Sequence, residues 1–424
     1  MDTIIPDGCV KDRFSDPATL ESPYAFLAEL REQAPVFFSP TLHMYVVSRF
    51  ADVQYVLNNP AIFSSEAVSD GGQTSNYNLA ERYAPLYEDA GVPFQKATLV
   101  ITDGASHKRY RSAVDRTFTV GAVKAMEAAI TQTVDALIDR FIDRGEADIY
   151  KEFCLQLPLI LICKILGLPA TDTSIQLMQK SADAIVRLQG GAIETEESRI
   201  ALHKTQVEFY RFIFDHVNQV KANPDGSLIS QLIATMPDDG VPLDDAELLS
   251  IINVLNVGGN ETTTNGLGNM FWACFREPGW QERLRADRDL VPKFVEETLR
   301  LETPVASMIR WVKQDAEIAG VQIPQNAMVL MSFLGANRDP RQYGCPAHVD
   351  LDRKGIRNHL AFGGGVHFCL GANLARLELK IAMNRVLDRM GDIRIADTGR
   401  PLEHEMKFIV RALKSLPVSF TKIS

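Results

Sequence analysis

The chain has 424 residues, 46% of them hydrophobic and 23% charged, with a formal net charge of −10. These proportions are globular, which excludes disordered and collagen-like architectures as the main state, and the length suffices for a large core. The acidic balance argues against bulk attraction to nucleic acid or to an anionic membrane surface.

In chain order, a helix is predicted over 16–34, with Ser15 or Asp16 as cap and Pro17 in the first turn. The segments PVFFS and HMYVVSR alternate and are rich in aromatic and β-branched residues, which predicts a hairpin. A short helix follows over 51–59. The stretch 63–105 carries Gly71, Gly72, Ser75, Asn76 and Asn78, with helical potential only over 79–89. It reads as a long, irregular loop, of a length usually tied to function or disorder. From 105 to 300 the pattern is helical, over 105–116, 120–143, 147–166, 172–187, 194–221, 226–235, 244–276 and 289–301. Breaks fall at 167–169, 190–191 and 224–226. Residues 307–333 are β-like, 370–390 are helical, and the chain ends in short strands. Helices dominate, the sheets are small, and no linker divides the sequence. The expected fold is mainly α with small β-sheets (α+β), as one domain over 1–424.

The six cysteines are widely spaced and include no C-x-x-C pair. Neither a disulfide framework nor a structural zinc site is expected, and most read as reduced, buried thiols of a cytoplasmic protein. The N-terminus lacks the basic and apolar regions of a signal peptide. The most apolar stretch, 157–168, holds Pro158 and Lys164 and falls short of the ~18 apolar residues of a membrane span. A buried helix, and no membrane anchor, is expected.

The strongest local signal is FGGGVHFCLG at 362–371, followed by a helix. Glycines let the backbone turn tightly and approach a flat object. Cys369 just before a helix start meets free N–H groups that favour a thiolate. Taken alone, it reads as a buried thiol, or as a nucleophile needing a nearby histidine. The long apolar segment 244–276 holds Gly258, Gly259, Asn260, Glu261, Thr262 and Thr263 in its middle. Two adjacent glycines cost roughly 2 kcal/mol relative to alanine in a helix interior. Their use would be to admit a flat ligand or to open the hydrogen-bond ladder. Thr262 shares a face with Gly258. Glu297 and Arg300 are spaced i, i+3, which is usually a surface pair of little worth. His107, Arg111 and Arg310 each read alone as surface cations.

Together these motifs change the reading. FGGGVHFCLG fills every specified position of F-x-x-G-x-[H/R]-x-C-x-G and resembles the haem-thiolate signature of the cytochrome P450 family. GGNET resembles that family's [A/G]-G-x-[D/E]-T motif, with Glu261 where Asp is commoner, and residues 297–300 resemble its E-x-x-R. The resemblance covers nearly the whole chain and is to the soluble bacterial type. It implies a helical prism enclosing haem b (iron protoporphyrin IX). Cys369 would be the proximal iron ligand, with Phe362 beside the sulfur and Gly371 leaving room for the ring. His367, His107, Arg111 and Arg310 would meet the haem propionates. Thr262 and Glu261 would serve O2 activation and proton delivery. Glu297, Arg300 and Arg353 would form a buried structural network.

The implied activity is insertion of one oxygen atom from O2 into a small or medium apolar substrate, such as a terpenoid, an aromatic hydrocarbon or a sterol. Electrons would come from a separate [2Fe-2S]-type ferredoxin and its reductase. Lys108, Arg109 and Arg111 are candidate ferredoxin contacts. The substrate pocket is expected at Thr98, Leu99, Val254, Val257, Gly258, Ala306, Met308 and Ile409, with Gln95 as a candidate donor. The 63–105 loop would act as a lid, together with the helices flanking Gly190 and Gly191. A monomer is expected. Two other readings share the fold: a peroxide-driven peroxygenase, which would not need Glu261 and Thr262, and a non-catalytic haem-thiolate sensor or carrier.

Overall fold

The computed structural model describes residues 10–66, 82–189, 195–397, 399, 402–405 and 408–423. Gly190, Gly191 and the middle of the 63–105 loop lie outside the described residues.

Two helices, α1 (Pro17–Glu21) and α2 (Tyr24–Gln33), replace the single helix predicted over 16–34. Asp16 caps α1, accepting from the Thr19 N–H at 3.0 Å and its hydroxyl at 2.6 Å. The break falls at Ser22 (φ −136°, ψ 80°), because the ring of the following proline disfavours helical geometry there. The predicted hairpin is β1 (Val36–Ser39) and β2 (Met44–Val47), followed by α3 (Phe50–Asn58) and β3 (Phe63–Ser64). The described part of the long loop carries α4 (Ala84–Asp89) and a 3-10 turn at Leu99–Ile101.

The helical middle opens with α5 (Gly104–Val114), α6 (Val120–Ala125) and α7 (Glu127–Asp139). The helix predicted over 120–143 is thus split at Met126, whose ψ is −8°. The helix predicted from 147 starts later. Residues Glu146–Asp148 form β4, which pairs with the C-terminal strand, and a π-helical turn at Tyr150–Cys154 leads into α8 (Gln156–Leu166). Next come α9 (Asp172–Gln189), α10 (Glu196–Ala222), α11 (Leu228–Ala234) and α12 (Asp245–Arg276). A short helix that the sequence reading lacked, α13 (Trp280–Ala286), precedes α14 (Val291–Leu301).

The β-like region resolves into β5 (Ser307–Val312), β6 (Ala316–Ile318), β7 (Val321–Ile323) and β8 (Met328–Ser332). The main sheet runs β1-β2-β8-β5-β3, with β2 and β8 parallel. It therefore joins the N-terminal hairpin to strands almost three hundred residues away. After α15 (Phe333–Ala336), the chain is irregular up to α16 (Ala372–Arg389), and β9 (Met390–Ile395) and β10 (Pro417–Lys422) close it. The fold is mainly α with small β-sheets, as the sequence predicted.

The long helix α12 positions the site. It begins with a reciprocal cap: Asp244 accepts from the Glu247 N–H at 2.9 Å, and Glu247 from the Asp244 N–H at 2.9 Å. It packs against α8, α9, α14 and α16. Buried residues therefore line most of its circumference, as expected of a helix in the middle of a core. Among the described residues, no helix is long and apolar enough to cross a membrane.

Candidate functional site

The cysteine loop lies between a 3-10 turn (Leu360–Phe362) and α16. Gly365 adopts φ 61°, and a Cβ there would sit 2.4 Å from the Leu57 carbonyl oxygen, so only glycine lets the loop close on α3. The Cys369 N–H donates to the Phe362 carbonyl at 2.9 Å, which ties the two ends of the loop together. The Arg376 guanidinium stands 4.4 Å from the centroid of the Phe362 ring. Arg376 is held in turn by Glu296, at 2.7 Å through Nε and 3.1 Å through Nη2. His359 Nε2 lies 2.9 Å from the same carboxylate. Sequence reasoning missed this group; its only local signal was a second carboxylate before the E-x-x-R.

Burial pushes the Cys369 thiol up, against the opposing pull of the Gly371 N–H, Arg111 and Arg376. The expected thiolate-favouring donors are present, but burial outweighs them. Cys154, Cys163 and Cys274 are buried in the core, and Cys345 is exposed.

Beside the loop, the rings of His107 and His367 lie 4.2 Å apart, centroid to centroid. His367 Nε2 is 3.2 Å from Asp103 Oδ1 and 3.0 Å from Ser65 Oγ. Burial, with the nearby His367 and Arg111, pushes His107 down to about 4. Arg111 is not free: its Nε donates to Asp115 at 2.6 Å and its Nη1 to the Phe368 carbonyl at 2.8 Å, so it braces the cysteine loop. Arg310 is 7% exposed, and its Nη1 donates to the Ile309 carbonyl at 2.9 Å. Among the described residues no carboxylate pairs with it, and burial pushes its pKa down to about 10.

Helix α12 is unbroken across Gly258 and Gly259, so the hydrogen-bond ladder is not opened. A Cβ on Gly258 would meet no atom within 4 Å, which leaves the other expected use, open space for a flat group. Thr262 Oγ1 donates to the Gly258 carbonyl at 2.7 Å. The charge of Glu261 reaches Tyr150, whose hydroxyl is raised first by burial and then by Cys154 and Glu261, and which donates to Asn265 at 2.8 Å.

The E-x-x-R residues form a buried junction. Arg300 donates to both Glu297 oxygens, at 2.7 and 2.9 Å, and to the carbonyls of Asn337, Pro346 and His348. Arg353 Nε reaches Glu297 at 3.0 Å. The side chains of Arg300 and Glu297 are fully buried, so this pair is not the surface bridge that spacing alone suggests.

The pocket candidates divide. Thr98 and Leu99 are buried, and the Thr98 hydroxyl has no hydrogen-bond partner among the described residues. Val254 and Val257 are half-buried on α12, and Met308 packs against the main-sheet cluster. The Ile409 carbonyl accepts from the Ala306 N–H at 2.7 Å, joining that turn to β5. The Ala306 side chain, however, packs with Phe14, Phe26, Leu330 and Leu334, because the entry to β5 turns it toward the N-terminal helices. The ferredoxin candidates also change. Arg109 donates to Asp239 at 2.5 and 2.6 Å and to Glu247 at 3.2 Å, so its charge is committed inside the chain. Lys108 is exposed, 3.5 Å from Asp238.

Residues 193–390 match the profile of the cytochrome P450 family. The chain is 32% identical over 398 residues to cyclomarin C epoxidase of Salinispora arenicola, covering 94% of this chain and 95% of that protein. It is 29% identical over 402 residues to the vitamin D(3) 25-hydroxylase of Pseudonocardia autotrophica, covering 94% of each. Among solved structures it is similar to CYP109E1 from Bacillus megaterium in complex with testosterone. The TM-score is 0.81 at 27% identity, over 95% of this chain and 99% of that one. A helical fold of this kind around a cysteine loop defines a haem-thiolate oxygenase. The chain belongs to the cytochrome P450 family. It is a monooxygenase, and its cofactor is haem b.

The residues present fit that group. The buried Arg310, which pairs with no carboxylate among the described residues, offers positive charge to a carboxylate, and a Cβ on Gly258 or Gly371 would meet no atom within 4 Å. Space and charge thus suit a flat dianion beside a cysteine.

Proposed function

We propose that Cys369 is the sulfur ligand of the haem iron, and that His107, His367 and Arg310 hold the haem carboxylates, with Arg111 bracing the loop. The observation that carries this reading is the loop itself: Cys369 is tied by its N–H to Phe362 beside the histidine pair. Glu297, Arg300 and Arg353 fix the chain that leads into that loop. When bound, the haem supplies O2 activation and the oxidation of C–H or C=C bonds. Thr262 and Glu261 hold the proton path on α12: the Thr262 hydroxyl is oriented by the Gly258 carbonyl, and Glu261 offers a carboxylate one residue earlier. Val254, Val257, Leu99, Met308 and Ile409 exclude water and give the substrate an apolar wall.

The substrate class is apolar and sterol-sized. A relative named for vitamin D(3) hydroxylation and a structural neighbour bound to testosterone favour it over a small aromatic hydrocarbon. Electrons come from a separate acidic ferredoxin with its reductase, docking near exposed Lys108. Arg109 is left out of that contact, since Asp239 and Glu247 hold it.

Two measurements test the reading. Cys369→Ala is expected to abolish the thiolate-specific absorption of the reduced, carbon monoxide-bound protein, and its retention would reject Cys369 as ligand. Titration with testosterone, cholecalciferol and a set of aromatic hydrocarbons is expected to give a saturable Soret shift with the first two. A shift only with the small aromatics would reject the substrate class.

A further inference from the structure

Asp103 occupies the N-cap position of α5, yet its side chain makes no cap bond to that helix. An acidic cap residue normally accepts from its own first turn, and forgoing that bond costs helix stability. Its carboxylate bonds elsewhere. Oδ2 accepts from the Ser64 hydroxyl and from the Ser65 N–H at 3.1 Å, and Lys313 Nζ lies 3.7 Å away. Oδ1 lies 3.2 Å from His367 Nε2. The backbone closes the same knot: the Asp103 N–H donates to Glu66 at 3.0 Å, and Lys313 reaches Glu66 at 3.4 Å. The Asp103 side chain is 10% exposed and that of His367 is 12%. A partly buried carboxylate thus faces a histidine whose ring is backed by His107.

We infer that Asp103 is a positioning residue: it grips Nε2 of His367, fixes the ring against His107, and so presents the other ring nitrogen to a haem carboxylate. The inference rests on the proposed role of His367 at the haem. The physical logic is that of an outer carboxylate orienting a histidine: the bond made by one ring nitrogen sets the direction of the other, and with a carboxylate on each side both ring nitrogens serve as N–H donors. Asp103 also brings β3 and Lys313 to the same side, so one acidic side chain assembles that wall of the cofactor site. Its charge reaches the buried Arg310 as well, favouring the protonated guanidinium.

The test uses the haem-loaded protein. Transfer of haem to excess apomyoglobin gives the release rate, and spectroelectrochemistry gives the reduction potential. Asp103→Ala is expected to release haem at least about tenfold faster, the lower end of the loss seen when outer partners of a ligand are removed. It is also expected to raise the potential, because a fixed negative charge near the haem is gone. Asp103→Asn keeps an acceptor for His367 but not the charge. It is expected to restore slow release while keeping the raised potential, and it decides the matter if the alanine variant fails to fold. A carboxylate that merely tied β3 to α5 would lower thermal stability and leave the potential alone. Parental release and potential in Asp103→Ala, or a parental potential in Asp103→Asn, would overturn the inference. His367→Ala separates the two levels. If it speeds release while Asp103→Ala does not, only the role of Asp103 falls. If neither does, His367 is not at the haem, and the site reading falls with it.

Discussion

The Glu378 carboxyl on α16 is buried, its Oε2 has no hydrogen-bond partner among the described residues, and burial pushes its pKa up to about 8. A carboxylic acid raised in this way is protonated in the folded protein at pH 7, while the unfolded chain, with a pKa near 4.5, is not. Folding therefore takes up a proton between those values. The sign follows: the contribution of Glu378 to stability is greatest below about 4.5 and is lost as pH rises toward 8. Glu378→Gln removes the titration, so the variant is expected to gain on the parent as pH rises from 5 to 8, by on the order of a few kcal/mol. Urea midpoints at several pH values check this, and a parallel pH dependence of parent and variant would refute it. Thr262 makes a different demand. Its hydroxyl bonds within its own helix, to Gly258, so Thr262→Ala removes little packing. The variant is expected to keep its fold and its haem but to divert a larger share of NADH-derived electrons to hydrogen peroxide. Unchanged product formed per NADH would take Thr262 out of the proton path.

At the scale of elements, α14 and the irregular chain after α15 are joined by one arginine. Arg300 bonds both Glu297 oxygens and three carbonyls between 337 and 348, and it is fully buried. Removing one partner of such a pair strands a buried charge, so Arg300→Ala is expected to cost about 3–5 kcal/mol. The loss should be read as a lower denaturation midpoint and a reduced yield of haem-loaded protein; a near-parental midpoint would contradict it. This junction was legible in the sequence because its two main partners lie one helical turn apart and carry a motif. Elements of the same kind were legible for the same reason: α12, α14 and α16 announce themselves by local pattern. What was not legible depends on distant partners. The β4 strand exists because it pairs with β10, and nothing near Glu146 indicates this. Arg109 reads as a surface cation until Asp239 and Glu247 are brought to it. Asp103, Glu296 and Arg376 are ordinary charges in the sequence and gain their roles only where separate segments meet. The break at Ser22 was legible and was missed, since Pro23 marks it. The turn at Met126 has no glycine or proline to mark it.

Across the whole molecule, the core where α9, α10 and α12 meet is crossed by a seam of polar bonds among its apolar side chains. The Ser181 hydroxyl donates to Gln206 Oε1 at 3.1 Å, and Gln206 Nε2 donates to the Ser181 carbonyl at 2.6 Å. Asn253 Nδ2 donates to the Tyr210 hydroxyl at 3.3 Å and Asn256 Nδ2 to the Met178 carbonyl at 3.1 Å, while Asn256 Oδ1 is buried without a partner among the described residues. Water can replace bonds of this kind when helices separate, so a polar seam costs less to open than an apolar one of equal area. Aromatic contacts couple the chain before α5 to the same helices. Tyr83 stacks on His203 at 4.2 Å, and the Tyr87 ring meets both Phe94 and Tyr210 edge-on, at 5.0 and 5.7 Å. Residues 82–94 should therefore follow α10 when the seam opens. An apolar ligand between Leu99 and Val254 would add contacts on both sides of the seam and hold it shut. Amide hydrogen exchange is expected to slow in 85–102 and in 180–189 when a tight ligand saturates the protein, with little change in α14 and α16. Replacing the seam by apolar side chains, Ser181→Ala with Gln206→Leu, should slow the same amides without ligand and lower the ligand association rate. Equal exchange with and without ligand, at saturation established from the Soret shift, would mean that the pocket is preformed and that the polar seam serves only to align the helices.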